Sequence, residues 1–127
     1  AWVESAQKQL PEIRAAIQAR DFKLLASLSE SNCVRMHASA MASFPPIFYW
    51  QGATLELMQR IWALRADGVP AFFTIDAGPN LVVVCEPQAS VRVSSELFKV
   101  PGVSVLTTEI GDGARAFDSK EWQGAEG

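Results

Sequence analysis

FTIDAGPNLVVVCE, residues 73–86, places a carboxylate at the end of one apolar run and begins a second run after Ala-Gly-Pro-Asn. Two short β-rich segments, AFFTI and LVVVCE, so close together predict adjacent strands. A plain hairpin would favour Asn-Gly or Asp-Gly at the turn. Here Ala77 separates Asp76 from Gly78, and Pro79 follows the glycine. That order suggests a backbone shaped to present one side chain. A carboxylate after Phe-Phe-Thr-Ile is expected to be partly desolvated, which raises its pKa and makes it a better proton acceptor. Gly78 would allow a ligand to approach the backbone closely. The competing structural reading is an Asx-turn, in which Asp76 bonds its own loop amides.

Upstream of the loop the pattern is helical. Val3, Ala6, Leu10, Ile13 and Ile17 recur at three and four residues, the stripe of a helix with one buried face. Pro11 should kink or restart it. Asp21 is placed as the N-cap of a second helix with Phe22, Leu25, Leu28, Asn32, Met36 and Ala40 inward. Ser43 to Pro46 ends that helix, because the Pro-Pro pair cannot continue it. Thr54 can cap a third helix with Leu57, Met58, Ile61, Trp62 and Leu64 inward, and Gly68 can close it as a left-handed residue. Downstream, a fourth helix is expected over 90–99, with Val91, Val93, Leu97 and Phe98 on one side, and a further strand over 103–108. Residues 111–127 read as a loosely ordered tail behind a domain of residues 1–110. The order predicts an α+β domain, a ferredoxin-like plait with extra helices that lacks its first strand.

Composition narrows the functional classes. The chain has 127 residues, 49% of them hydrophobic, enough for one core. Its net charge of −3 and its scattered basic residues argue against nucleic acid. Cys33 and Cys85 form no disulfide framework, which points to a reducing cytoplasm. No apolar run reaches the roughly 20 residues of a membrane helix. The chain opens Ala1-Trp2-Val3 without an initiator methionine, which predicts part of a longer protein. His37 follows Cys33 by one helical turn, so the two could bind metal or form a nucleophile pair, although no third ligand lies near in sequence. A hydrogen-bonded histidine on a half-buried helix is the favoured reading. Asn32 and Arg35 could hold loops or touch an anion, but a structural network is favoured for them as well. Phe44, Phe48, Tyr49 and Trp50 are expected to pack the helix connection. GxxxxGK, HExxH and GxSxG are all absent from the chain.

Three segments together, RDFKLLASLSESNCVRMHA, SFPPIFYW and GVPAFFTIDAGPNLVVVCE, resemble the C-terminal half of the diphosphomevalonate decarboxylase family. That family belongs to the GHMP superfamily of small-molecule kinases, with galactokinase, homoserine kinase and mevalonate kinase. The similarity runs from about Trp2 to Thr108. It implies a GHMP-type C-terminal domain of a lyase that uses ATP and Mg2+ to convert mevalonate 5-diphosphate to isopentenyl diphosphate in the cytoplasm. It also implies Asp76 as the catalytic carboxylate, Ala77 against the substrate, and a homodimer. ATP and Mg2+ would be held mainly by an upstream part, no metal site is implied in this chain, and the chain alone would be inactive. The alternatives are a mevalonate-derivative kinase, a phosphomevalonate decarboxylase, or a stand-alone α+β binding module.

Overall fold

The computed structural model describes residues 2–114 and Ala116. The tail expected from residue 111 onward lies mostly outside the described residues. In chain order the elements are α1 (Trp2–Gln18), α2 (Phe22–Met41), α3 (Gly52–Ala66), β1 (Ala71–Ile75), β2 (Leu81–Cys85), a 3-10 turn (Pro87–Ala89) and α4 (Ser90–Leu97). The α+β class is as expected. β1 and β2 pair antiparallel with Phe73 opposite Val83 and Ile75 opposite Leu81. An isolated two-stranded ribbon is marginal in water, so it needs the helices packed on it.

α1 runs through Pro11 without restarting. The proline removes an amide partner from the Gln7 carbonyl, but both residues are exposed and water can replace the bond. The expected buried stripe of α1 is not found. Val3, Leu10 and Ile17 are more than half exposed, and Ala16 is the buried residue. Ala6 and Ile13 of that stripe are half-buried, and the inner face of α1 includes Gln9, which bonds Asn32 of α2.

α2 begins as expected, with the Asp21 carboxylate accepting the Leu24 amide at 2.9 Å. Its buried face is different, however: Ala26, Glu30, Cys33 and His37. Leu25, Leu28, Asn32 and Met36 are half-buried, and Asn32 Nδ2 donates to Gln9 on α1. A helix squeezed between another helix and a strand has two inner faces, and apolar spacing alone found the lesser one.

α3 buries Leu57, Met58, Ile61 and Leu64. It closes with Gly68 at φ 82°, where the Gly68 amide donates to Arg65 and the Val69 amide to Leu64. These two bonds form the Schellman pattern. α3 starts at Gly52, so Thr54 sits in its first turn rather than at the cap. α4 buries Val93 and Leu97 but leaves Val91 and Phe98 outside. The core gathers Phe73, Ile75, Ile61, Leu64, Met58, Val93, Leu97 and Val100.

The strand expected over 103–108 is not formed. Val103 and Val105 still pack against the core with exposed Ser104 between them. The period of two is kept over 103–105 and lost from Leu106 onward, and no neighbouring strand among the described residues supplies a ladder. No helix of the described residues is long and apolar enough to cross a membrane.

Candidate functional site

β1 has one edge paired to β2 and one edge facing α2. Along that second edge, side chains replace a missing strand. Arg65 Nη1 donates to the Ala71 carbonyl at 3.2 Å, and the Phe73 amide donates to Glu30 Oε1 at 3.3 Å. At the far end, the Ile75 carbonyl accepts from His37 Nε2 at 3.2 Å and from the Cys33 thiol at 3.7 Å. A carbonyl only accepts, so Nε2 carries the proton. Glu30, Cys33 and His37 stand three and four residues apart, which puts them on one face of α2. Buried strand edges need such partners, because an unpaired backbone group away from water is costly.

Cys33 and His37 converge on the same carbonyl, and no group of three His, Cys, Asp or Glu side chains among the described residues could hold a metal ion. Burial pushes the Cys33 thiol above its ordinary value of 9.0; the Ile75 carbonyl opposes this, and the nearby Glu30 and Asp76 charges add to it. His37 is 1% exposed, with its ring between Tyr49 and Trp50. Tyr49 and Trp50 pack the connection as expected, whereas Phe44 and Phe48 stand out in solvent. Asn32 bonds α1, and Arg35 is exposed without an ion pair among the described residues.

Immediately after Ile75 the chain leaves the core. Asp76 and Ala77 are exposed, so the expected partial desolvation of Asp76 is not found within this chain. No side chain or amide of the described residues bonds the Asp76 carboxylate, so the Asx-turn reading is not met. The loop instead bonds through its backbone, with the Gly78 amide donating to the Asp76 carbonyl at 2.9 Å. Gly78 has no left-handed φ, and a Cβ added there meets no atom within 4 Å. This chain's own geometry therefore does not require the glycine. The loop's exit is fixed by Thr54, whose hydroxyl donates to the Pro79 carbonyl at 2.9 Å and accepts the Gln51 amide at 3.0 Å. Residue spacing did not show that role for Thr54, because the Pro79 carbonyl it serves lies 25 residues away in the chain.

The large groove of the molecule lies elsewhere. It holds about 670 Å³ between Phe22, Ala26, Glu30, Val34, Trp62 and Arg65. It opens at the Ala71 end of β1, about 17 Å from Asp76 along a strand rising roughly 3.3 Å per residue. Its buried carboxylate is fully engaged: Glu30 is bridged by both terminal nitrogens of Arg65, at 2.7 and 2.8 Å, and by Trp62 Nε1 at 2.9 Å, while Lys23 stands exposed on the same wall. Of the two carboxylates at the ends of β1, Asp76 is the exposed one, with no bond to its side chain among the described residues.

Comparison with known proteins places these features in a family. A family model described as the mevalonate 5-diphosphate decarboxylase C-terminal domain matches residues 3–121. The diphosphomevalonate decarboxylase of Candida albicans is 30% identical over 103 residues, covering 78% of this chain and 28% of that protein. The crystal structure of mevalonate diphosphate decarboxylase from Staphylococcus aureus superposes with a TM-score of 0.74 at 35% identity, covering 77% of this chain and 30% of that one. A structure described as MDDEF in complex with MVAPP, AMPPCP and magnesium gives 0.73 at 34% identity, with 77% and 30% covered. The chain thus spans less than a third of the length of these relatives.

Proposed function

The chain belongs to the mevalonate 5-diphosphate decarboxylase C-terminal domain family, and from that membership we propose that it is the C-terminal part of an ATP-dependent lyase of the mevalonate route. The substrate is mevalonate 5-diphosphate and the products are isopentenyl diphosphate, carbon dioxide, phosphate and ADP. The family match over residues 3–121 carries this reading. Two free thiols and the lack of a long apolar helix among the described residues suit a cytoplasmic enzyme.

Asp76 is the residue of this chain that acts on the reacting atoms. Hydroxide is a poor leaving group, so the tertiary hydroxyl of the substrate is phosphorylated first. A carboxylate held beside that hydroxyl orients it and accepts its proton. When phosphate departs, the tertiary carbon gains positive charge and takes up the electron pair of the breaking C–CO2 bond. A fixed anion nearby in a water-poor cleft stabilises that charge. Support comes from the exposed, unbonded state of Asp76 on a loop whose backbone is tied down. Ala77, exposed beside it, lies against the substrate, and the open space over Gly78 suits close approach.

Mg2+ takes several oxygen ligands, and no group of three His, Cys, Asp or Glu side chains among the described residues could hold it. We assign Mg2+ and the ATP it accompanies mainly to other parts of the complete enzyme.

The test is product analysis of the complete enzyme given ATP and mevalonate 5-diphosphate. Carbon dioxide and ADP should appear in equal amounts, with little turnover of mevalonate 5-phosphate. ADP without carbon dioxide would instead make it a kinase, and preference for the monophosphate would make it a phosphomevalonate decarboxylase.

A further inference from the structure

The Asp76 loop is pinned on both sides by buried side chains from two different helices. On entry, the Ile75 carbonyl receives His37 Nε2 from α2, and on exit, the Pro79 carbonyl receives the Thr54 hydroxyl from α3. His37 is 1% exposed and Thr54 is 2% exposed. Neither can reach a ligand in the cleft. Between the two pins, the Gly78 amide closes onto the Asp76 carbonyl. The Asp76 side chain has no hydrogen bond of its own among the described residues, so its place in space is inherited from this backbone.

A threonine in this position does two things at once. Its oxygen accepts the Gln51 amide at the start of α3 and its proton goes to the Pro79 carbonyl. A hydroxyl has one donor and two acceptor sites, which is enough for both bonds. The start of α3 and the end of the loop therefore share one atom. His37 makes a single bond, from α2 to the carbonyl at the end of β1. We propose that Thr54 and His37 are positioning residues for Asp76, holding the Ile75–Pro79 segment so that the carboxylate meets the substrate hydroxyl. The proposal rests on the decarboxylase reading above. Its scale follows from geometry: a displacement of about 1 Å at a reacting group can cost about 100-fold in rate.

The test uses the complete enzyme carrying Thr54→Val, which keeps the shape and removes the hydroxyl, and Thr54→Ser, which keeps the hydroxyl. Each is measured alone and together with Asp76→Asn. Thr54→Val should lower kcat about 10- to 100-fold with KM for ATP unchanged, and Thr54→Ser should restore it to within about 3-fold of wild type. In the Asp76→Asn background, Thr54→Val should add less than about 2-fold, because residues acting through one another are not additive. Undiminished kcat in Thr54→Val, or a loss that persists in full without the carboxylate, would overturn the proposal. If Thr54→Val does not fold, His37→Gln, which keeps an N–H near Nε2, and His37→Met, which does not, give the same contrast. If Asp76→Asn alone leaves kcat unchanged, the reading of the site fails, and the anchoring role falls with it.

Discussion

The two ends of β1 treat a carboxylate in opposite ways. At the Ala71 end, Glu30 is 7% exposed and receives Arg65, the Trp62 indole and the Phe73 amide. At the Ile75 end, Asp76 is exposed, and its carboxylate bonds nothing among the described residues. A buried anion must have its lone pairs filled, or it is driven to neutralise. Glu30 meets that demand and in doing so loses any capacity to act on a ligand. The groove beside it is large, yet its carboxylate is already used. Asp76 keeps its capacity, and the fold's polar side chains go to the backbone on either side of it. Pocket size is therefore a poor guide to chemistry in this domain; a free functional group on a fixed backbone is a better one.

The comparison can be broken at the Glu30 end. Glu30→Ala strands Arg65, the Trp62 N–H and the Phe73 N–H together, and should cost about 3 kcal/mol of stability in denaturant titration. This is the lower end of the usual range, because the Arg65 side chain is one-third exposed and can turn to water. A loss below about 0.5 kcal/mol, the scale of ordinary surface changes, would show that the closed edge of β1 contributes little.

A smaller effect sharpens the comparison at the Asp76 end. Burial favours the neutral Cys33 thiol, so its folded pKa lies above its unfolded one. The stability that follows is present below the unfolded value and fades as pH rises through the folded one, above about pH 9. In the native protein a thiol reagent should reach half-buried Cys85 first and Cys33 only with unfolding. Equal rates for the two would mean that the α2–Ile75 contact opens readily, and Asp76 would then sit on a loose support.

Much of this architecture is visible in the residues, and the failures have physical causes. Asp21, Gly68 and the paired strands follow from local rules, since caps and turns depend on near neighbours. The buried face of α2 does not, because Glu30 and His37 read as surface residues until a strand edge is known to need them. Three polar or thiol residues spaced 30, 33 and 37 on one helix, after Ala26, were the available signal. The α1 stripe misleads because the inner face is turned toward Gln9 and Ala16, leaving Val3, Leu10 and Ile17 outside. The expected alternation holds over 103–105 and stops at exposed Leu106, and a strand also needs a partner, which spacing cannot supply. Asp76 stood out from the quoted loop, but its exposure depends on how the chain leaves the core.

The most direct measurement is kcat for Asp76→Asn in the complete enzyme beside its unfolding midpoint. An exposed, unbonded carboxylate that serves the reaction should leave the midpoint within about 0.5 kcal/mol of wild type and lower kcat by about 100-fold or more. Near-normal turnover, or a large loss of stability, would contradict the role given to this side chain.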